Sequence, residues 1–445
     1  MTTLTLITLA VIVVGAFTTN GYQRALAIGG ATPIGAALVF GDVAVPTFYA
    51  VAIGAAVGLA IDLLRRTKRF ERDTSPPFPG FIPLVLFAAW SIVITILAPQ
   101  IFNGMVVVAP DGTDRQLAAG FLTTSNLAQI VYLLLGIAVV VFLAKARWAG
   151  PEIIGLTAGL LTLLSFWKLL NQYVGMPFPE GVFDNSPAFA FIESSPGGGA
   201  RFRGILSEPS GLAISSLVTV AYMVSRATYV TGARRVGVIV IALMAAFLAS
   251  ISTSGTFVVA SIALIGIAGL VFLGKFVLRR GPLSTLAVTA ACAAAIAAVW
   301  LLPLIANTVE QVVTDKVASS SFEDRSGSDN RSYELVVETF GLGVGLGANR
   351  PSSFLAALLS TTGIIGTVLL VTVVWTLIHR GYAIREYRPV VWALVALLIT
   401  KVIASPDLAD TSGILWMSLG ILAHASVARN VPSATGLSRS QPLTR

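Results

Sequence analysis

One uncharged stretch decides the fold class: FLAALLSTTGIIGTVLLVTVVWTLI, residues Phe354–Ile378. A helix needs about 20 apolar residues to cross the hydrocarbon core of a bilayer, and this stretch is long enough. The whole chain of 445 residues is 56% hydrophobic and only 11% charged, whereas soluble domains carry about 25% charged residues. This small number of charged residues cannot cover a water-facing surface. We therefore expect most of the surface to face lipid.

Further apolar runs of comparable length occur along the chain. They are Leu4–Thr18, Ala25–Gly41, Val43–Leu64, Phe81–Leu97, Leu117–Leu143, Ile153–Leu170, Ile205–Val224, Val236–Ser250, Thr256–Leu273, Leu283–Ile305, Pro389–Ala404 and Ile414–Val427. The second run contains Gly29, Gly30, Pro33 and Gly35, so it is predicted either to span or to re-enter the membrane. The sequence therefore predicts an all-α polytopic membrane protein with about 12 or 13 transmembrane helices.

Basic residues indicate the orientation, because cytoplasmic loops are enriched in Lys and Arg. Alternate loops and the tail hold Arg65, Arg66, Lys68, Arg69, Arg72, Lys145, Arg147, Arg226, Arg234, Arg235, Lys275, Arg279, Arg280, Arg380, Arg385, Arg388, Arg429, Arg439 and Arg445. We assign this face, with the C-terminus, to the cytoplasm and the protein to the cytoplasmic (inner) membrane. Residues 1–428 are predicted to form one transmembrane catalytic domain, and residues 429–445 a disordered cytoplasmic tail.

The opposite, extracytoplasmic face receives three long loops, at about 98–116, 171–204 and 306–353. Ordered loops longer than a tight connection are more often functional than not. The net charge of +8 does not indicate nucleic acid as a partner, because the basic residues form short clusters and no stripe. The single cysteine, Cys292, lies in an apolar run and can form no internal disulfide.

Basic residues on the extracytoplasmic side are exceptions to the orientation rule. They are Arg115, Lys168, Arg201, Arg203, Lys316, Arg325, Arg331, Arg350 and Lys401. Lys168 and Lys401 lie inside apolar runs, where a cation at mid-membrane costs about 3 kcal/mol. Two interpretations are open for them: snorkelling to the outer headgroups, or lining an anion-binding cavity with the arginines.

The first informative stretch is RFRGILSEPSGLA, residues Arg201–Ala213. Pro209 and Ser210 are typical of a helix start. Arg201 and Arg203 could present guanidinium groups to an anion near that helix N-terminus. The alternative is that this loop binds lipid headgroups.

The second stretch begins with Asp324-Arg325 and continues through Arg331 to Gly341-Leu-Gly343-Val-Gly345-Leu-Gly347-Ala-Asn349-Arg350-Pro351 and Gly363-Ile-Ile-Gly366. The glycines follow no strand of a βαβ unit, so they do not form a dinucleotide loop. Alternating glycines let a backbone turn tightly and approach a ligand. A plain flexible loop is the alternative.

Together the two stretches resemble the bacterial O-antigen ligase and polymerase superfamily. Its members carry an R-x-x-G loop followed by E-P or N-P, a late arginine-bearing periplasmic loop, a G-x-G-x-G segment, and a helix with L-x-x-x-G-x-x-G. Residues Arg201–Ala213 and Gly341–Gly366 match this order, and the resemblance extends over nearly the whole chain. Ser352 stands where ligases carry a histidine, which favours the polymerase branch.

The resemblance implies an inverting glycosyltransferase that needs no metal or other cofactor. Its partners would be a polyprenyl-pyrophosphate-linked oligosaccharide, the lipid bilayer and, for a polymerase, a chain-length co-polymerase. The reaction would build a surface polysaccharide such as O-antigen or exopolysaccharide. A ligase with a lipid or wall acceptor, a polytopic transporter or flippase of lipid-linked glycan, and a membrane scaffold are the rival interpretations.

Chemistry then suggests roles for individual residues. A pyrophosphate leaving group gains negative charge, which fixed guanidinium groups stabilise. The predicted catalytic residues are Glu208, Arg203 and Arg331, with Glu208 as base for the acceptor hydroxyl or as an ion-pair partner that orients an arginine. The predicted pyrophosphate-binding residues are Arg201, Arg203, Arg325, Arg331, Arg350, Lys168 and Lys401, beside a glycine-rich loop of Gly343, Gly345 and Gly347.

Overall fold

The computed structural model describes residues 2–40, 43–68, 77–109, 113–187, 191, 201–279 and 320–428. The predicted span Leu283–Ile305 and the predicted tail 429–445 lie outside these residues. The helices are α1 Thr3–Phe17, α2 Gly21–Gly30, α3 Thr47–Lys68, α4 Phe81–Ile101, α5 Thr124–Lys145, α6 Glu152–Val174, α7 Pro209–Ala227, α8 Gly232–Ile251, α9 Gly255–Arg279, α10 Ser320–Glu338, α11 Phe354–Tyr382, α12 Arg388–Ala404 and α13 Ile414–Ala428. Two small antiparallel hairpins pair β1 Ala36–Phe40 with β2 Val43–Pro46, and β3 Val106–Val108 with β4 Asp114–Gln116.

The predicted all-α polytopic membrane protein is confirmed. Within the described ranges, eight helices are long and apolar enough to cross a membrane, namely α3 to α8, α11 and α12. Three shorter apolar helices, Thr3–Phe17, Gly255–Val271 and Ile414–Ala428, accompany them. Helices are favoured in lipid because each one satisfies its own backbone hydrogen bonds.

The run Ala25–Gly41 does not form a spanning helix. Helix α2 ends at Gly30, and the chain then enters the β1–β2 hairpin. Helices usually end before the residue that precedes a proline, and Pro33 follows α2 closely. Gly30 also packs against another part of the chain, since a Cβ on it would lie 2.2 Å from the carbonyl oxygen of Ser412.

Helix α11 is broken at Gly363, which has φ 68° and ψ −173°. The break frees backbone groups, and the glycine-rich segment 341–347 satisfies several of them. The amides of Val344 and Gly345 donate to the carbonyls of Ser360 and Thr361 at 2.8 and 2.9 Å. In lipid such freed groups would otherwise cost several kcal/mol each, so the segment and the break form one structure. This combined structure places Asn349 and Arg350 just before the start of α11.

Helix α13 lies at the centre of the bundle. Most of its residues are buried, and Trp416 and Met417 are fully so. It packs against α5, α11 and α12. The loop 405–413, which leads into α13, therefore lies in the middle of one end of the bundle.

The two sets of loops lie at opposite ends of the spanning helices. At one end Arg226 pairs with Glu152, and the guanidinium of Arg385 lies 5.2 Å from the ring centre of Tyr229. These residues belong to the loops that the sequence assigns to the cytoplasm. The predicted site residues lie at the other end, as alternation requires. Which end faces the cytoplasm stays a prediction.

Candidate functional site

A cavity of about 480 Å³ lies between the ends of α7, α12 and α13. We call it the main cavity. Three predicted site residues, Glu208, Arg350 and Lys401, lie on its wall, although they are far apart in sequence. Aliphatic side chains, among them Ile214 and Leu397, line another part. Volumes of about 300–1,000 Å³ with mixed apolar and polar walls are typical of ligand sites.

Two smaller cavities adjoin the main one. The middle cavity, of about 80 Å³, shares Arg350, Pro406 and Asp407 with the main cavity. The third cavity, of about 230 Å³, shares Ser125 and Gly347 with the middle cavity. The middle cavity therefore lies between the other two, so the three cavities form a row, with Arg350 at the first junction.

Lys401 is buried in the wall of the main cavity. Its side chain lies near the end of α12, and the residue is only 4% exposed, so it does not snorkel to lipid headgroups. The ammonium group donates a hydrogen bond of 2.7 Å to the carbonyl oxygen of Asp407 and lies 5.7 Å from the ring centre of Phe354. A buried ammonium group has three donors, and this one faces a cavity that could hold an anion.

Arg350 is the exposed cation of the site. It follows the glycine-rich segment, and its backbone amide is fixed by a 2.9 Å hydrogen bond to the carbonyl oxygen of Val108. Its guanidinium lies 4.0 Å from the carboxylate of Asp407, and both side chains are exposed, at 45% and 40%. A loose, exposed pair of this kind contributes little to stability, so the guanidinium can exchange its partner for a ligand.

Glu208 supplies a carboxylate at the mouth of α7. Its extended backbone precedes Pro209, which begins the helix. The hydroxyl of Ser210 donates to the Glu208 carboxylate at 2.5 Å. A carboxylate oriented by a hydroxyl on a cavity wall has the position that a general base needs.

Asp407 and Asp410 also line the main cavity, and neither was predicted as a site residue. Asp410 is buried and fixes the loop, because its carboxylate accepts hydrogen bonds from Ser412 Oγ and from the amide of Leu415, both at 2.7 Å. These bonds cap the start of α13. The signal was the pair of acids in SPDLADTSG, residues 405–413, directly after Lys401 on the predicted outer face. It was overlooked because the loop is short.

Lys168 and Arg203 lie elsewhere, as the two partners of Asp184. The Asp184 carboxylate lies 2.9 Å from Lys168 Nζ and 3.0 Å from an Arg203 nitrogen. Arg203 also donates to the carbonyl oxygen of Leu206 at 2.7 Å. Burial would raise the pKa of Asp184, but the two cations hold that pKa below its ordinary value. This cluster lies outside the walls of the three cavities.

Arg201 contacts the end of α8. Its guanidinium donates to Thr253 Oγ1 at 3.2 Å and to the Thr253 carbonyl oxygen at 3.1 Å. Thr253 has a φ of 47° just after the helix. Cations near a helix C-terminus are favourable because they meet unpaired carbonyl groups. The described contacts of Arg201 thus fasten the loop before α7 to α8.

Arg331 lies on α10 and is surrounded by acceptors. It makes two hydrogen bonds to Glu338, at 2.8 and 3.1 Å, one to Glu334 at 3.0 Å, and one to the carbonyl oxygen of Val106 at 3.0 Å. The hydrogen bonds that Arg331 donates to the Glu338 carboxylate raise the pKa of Arg331 above its ordinary value. Arg331 lines none of the three cavities. The side chain of Arg325, on the same helix, lies outside what the structure describes.

The predicted glycine-rich loop is packed against other backbone rather than open. A Cβ on Gly345, at φ 93°, would lie 2.7 Å from the Cα of Thr95, and one on Gly343 would lie 2.7 Å from the carbonyl oxygen of Thr361. Gly347 differs, because it lines both smaller cavities. Gly343 and Gly345 thus allow close helix contacts, and Gly347 borders space that a ligand could occupy.

Comparisons with models of known families and with curated proteins found no match. Within the described part of the chain, no group of three or more His, Cys, Asp or Glu side chains is arranged to hold a metal ion. The main cavity offers two cations, the hydroxyl-oriented carboxylate of Glu208, the carboxylates of Asp407 and Asp410, and an aliphatic wall. The two cations and the aliphatic wall suit a ligand that has both an anionic group and an apolar part.

Proposed function

We propose that the protein is a membrane glycosyltransferase that polymerises, or ligates, oligosaccharide carried on polyprenyl pyrophosphate at the extracytoplasmic face. The main cavity carries the proposal, because it brings Arg350, Lys401 and Glu208 to one wall beside aliphatic residues. A diphosphate matches the two cations, and the isoprenoid matches the aliphatic surface. The resemblance of the sequence to O-antigen polymerases and ligases supports the same reaction.

In the proposed reaction, the acceptor hydroxyl attacks the anomeric carbon of the donor from the face opposite the pyrophosphate. The bond between that carbon and the pyrophosphate oxygen breaks, and a new glycosidic bond forms with inversion. Glu208 takes the hydroxyl proton, and polyprenyl pyrophosphate leaves with the bonding electrons. Arg350 and Lys401 stabilise the charge that grows on the leaving group.

Several of the other predicted site residues bind groups of the protein itself. Arg203 and Lys168 are paired with Asp184, Arg331 is paired with Glu338, and Arg201 binds the end of α8. We therefore assign diphosphate binding first to Arg350 and Lys401. Direct contact of Arg201, Arg203, Arg325 and Arg331 with the donor stays a prediction from the family resemblance.

The test uses the full-length protein in lipid nanodiscs with the lipid-linked oligosaccharide from its own cells. We expect elongated glycan together with release of polyprenyl pyrophosphate. Arg350→Ala and Glu208→Gln should each lower this rate by about 100-fold or more. Arg380→Ala and Glu386→Gln are the matched controls, since both residues are exposed at the opposite end of the bundle.

The outcome separates the rival functions. A transporter would bind the lipid-linked glycan without releasing polyprenyl pyrophosphate, and that result would overturn the proposal. In a deletion strain, accumulation of lipid-linked single repeat units indicates a polymerase, whereas accumulation of lipid-linked polymer indicates a ligase.

A further inference from the structure

The residues that line the cavities differ on the two sides of Arg350. The main cavity is lined by two cations, Arg350 and Lys401, and by three carboxylates, those of Glu208, Asp407 and Asp410. The middle cavity shares Arg350 and Asp407 with it and is otherwise lined by Ser125, Gln129, Thr361 and apolar residues such as Phe354. Apart from the shared Arg350–Asp407 pair, the middle cavity thus adds only uncharged polar and apolar residues.

Ser125 and Gln129 form the polar wall of the middle cavity. They are four residues apart on α5, so both side chains lie on one face of the helix. Both are half-buried, and neither side chain has a hydrogen-bond partner among the residues that the structure describes. Half-buried hydroxyl and amide groups on a cavity wall are suited to bind a ligand rich in hydroxyl groups.

The third cavity continues this surface. Its wall contains Gln116, Thr124 and Phe121. The guanidinium of Arg115 lies 5.5 Å from the ring centre of Phe121, and the ring itself is exposed. An exposed aromatic face beside hydroxyl and amide groups can pack against the apolar face of a sugar ring.

We infer that the middle and third cavities form a subsite for the acceptor glycan, with Ser125 and Gln129 binding sugar hydroxyls next to the reacting centre. This inference rests on the proposed function. It follows from the order of the cavities. The diphosphate is held by Arg350 and Lys401, the reacting acceptor hydroxyl lies by Glu208 in the main cavity, and the rest of the acceptor chain extends past the Arg350–Asp407 junction into the middle cavity. The ligand class is an oligosaccharide.

The first experiment measures binding without relying on activity. Gln129→Cys and Ser215→Cys are made in a Cys292→Ser background, which removes the only natural cysteine. Ser215 lines the main cavity and is the matched position. Oligosaccharide released from the lipid carrier by mild acid should slow thiol labelling at position 129 by about tenfold and leave position 215 unchanged. Polyprenyl pyrophosphate should do the reverse.

The second experiment measures kinetics with the same oligosaccharide as soluble acceptor. Gln129→Leu and Ser125→Ala should each raise the acceptor KM by about tenfold, with the donor KM changed by less than about twofold. Thr372→Val, an exposed change on α11, is the control. Unchanged labelling at position 129, with transfer intact in the wild type, would overturn the subsite and leave the proposed function standing. Protection of position 129 without any transfer would remove the acceptor role.

Discussion

The ammonium group of Lys401 and the carbonyl oxygen of Asp407 are joined by a hydrogen bond of 2.7 Å. The carboxylate of Asp407 lies 4.0 Å from Arg350. The loop between α12 and α13 thus connects the buried cation of the main cavity to the exposed one. Asp407 therefore contacts both cations of the main cavity, one through its carbonyl oxygen and the other through its carboxylate.

The two lysines in apolar runs should respond differently to removal of their charge. Lys401→Met should lower transfer at least about tenfold, while the free energy of unfolding changes by less than about 1 kcal/mol, because a buried charge is replaced by an apolar chain of similar size. Lys168→Met should instead lower stability, since Asp184 keeps only Arg203 as a described cationic partner. Thermal unfolding in detergent and the nanodisc transfer assay measure both effects. Equal changes in transfer and in stability for Lys401→Met and Lys168→Met would contradict this distinction.

Asp184 should be a major determinant of stability at this end of the bundle. Asp184→Ala leaves Lys168 and Arg203 buried without their shared carboxylate, which should cost about 3–5 kcal/mol. Glu180→Ala is the control, because the Glu180 side chain is 61% exposed and lies 3.9 Å from Lys168. It should cost less than about 1 kcal/mol. A similar loss of stability for both variants in chemical or thermal unfolding would show that the contacts of Asp184 with Lys168 and Arg203 do not stabilise the fold.

The same carboxylate predicts a pH dependence. The folded-state pKa of Asp184 is lower than the unfolded value of 3.8, so its ionised form stabilises the fold. That contribution is complete above the unfolded pKa and is lost as the pH falls through the folded pKa. The stability difference between wild type and Asp184→Asn should therefore be constant between about pH 5 and 8, and should shrink below about pH 4. A stability difference that becomes smaller as the pH rises would contradict this prediction.

Composition and hydropathy were sufficient to predict the membrane class and most of the spans, because those depend on local sequence. They could not predict the site partners. Arg350 and Asp407, or Lys168, Asp184 and Arg203, are brought together only by helix packing. The sequence identified the cations correctly as unusual but could not distinguish a cation in a cavity from a cation bound to a buried carboxylate.

The packing partners of the glycines could not be predicted from the sequence either. Their spacing predicted tight turns, and segment 341–347 does have four glycines with positive φ. The partner of these turns is the break in α11 at Gly363, and nothing local to the segment indicates it. Ala25–Gly41 was ambiguous for a related reason. Its glycines permit either close packing or a span, and the close approach of Gly30 to Ser412 is a contact that the local sequence does not indicate.

The broken helix gives a sharp test of that packing. Gly363→Ala places a Cβ 2.2 Å from the carbonyl oxygen of Gly341, at a φ of 68°. We expect a loss of at least about 1–3 kcal/mol in the free energy of unfolding. Gly237→Ala, on α8 with open space around it, should be neutral or stabilising by about 0.5–1 kcal/mol. A neutral Gly363→Ala variant would show that α11 does not break at this residue.

Arg331 can act on the donor or act by fastening α10 to strand β3, and a double-mutant cycle distinguishes the two roles. The family resemblance predicts that Arg331→Ala, like Arg203→Ala, abolishes polymer at normal membrane levels. Its contacts with Glu338 and the Val106 carbonyl favour the fastening role. In that case Arg331→Ala and Glu338→Ala should lower transfer and melting temperature together, each by about 1 kcal/mol in stability, and the double variant should be no worse than the poorer single one. If Arg331→Ala alone is inactive with an unchanged melting temperature, and Glu338→Ala remains active, the fastening role is wrong and Arg331 touches the reacting diphosphate.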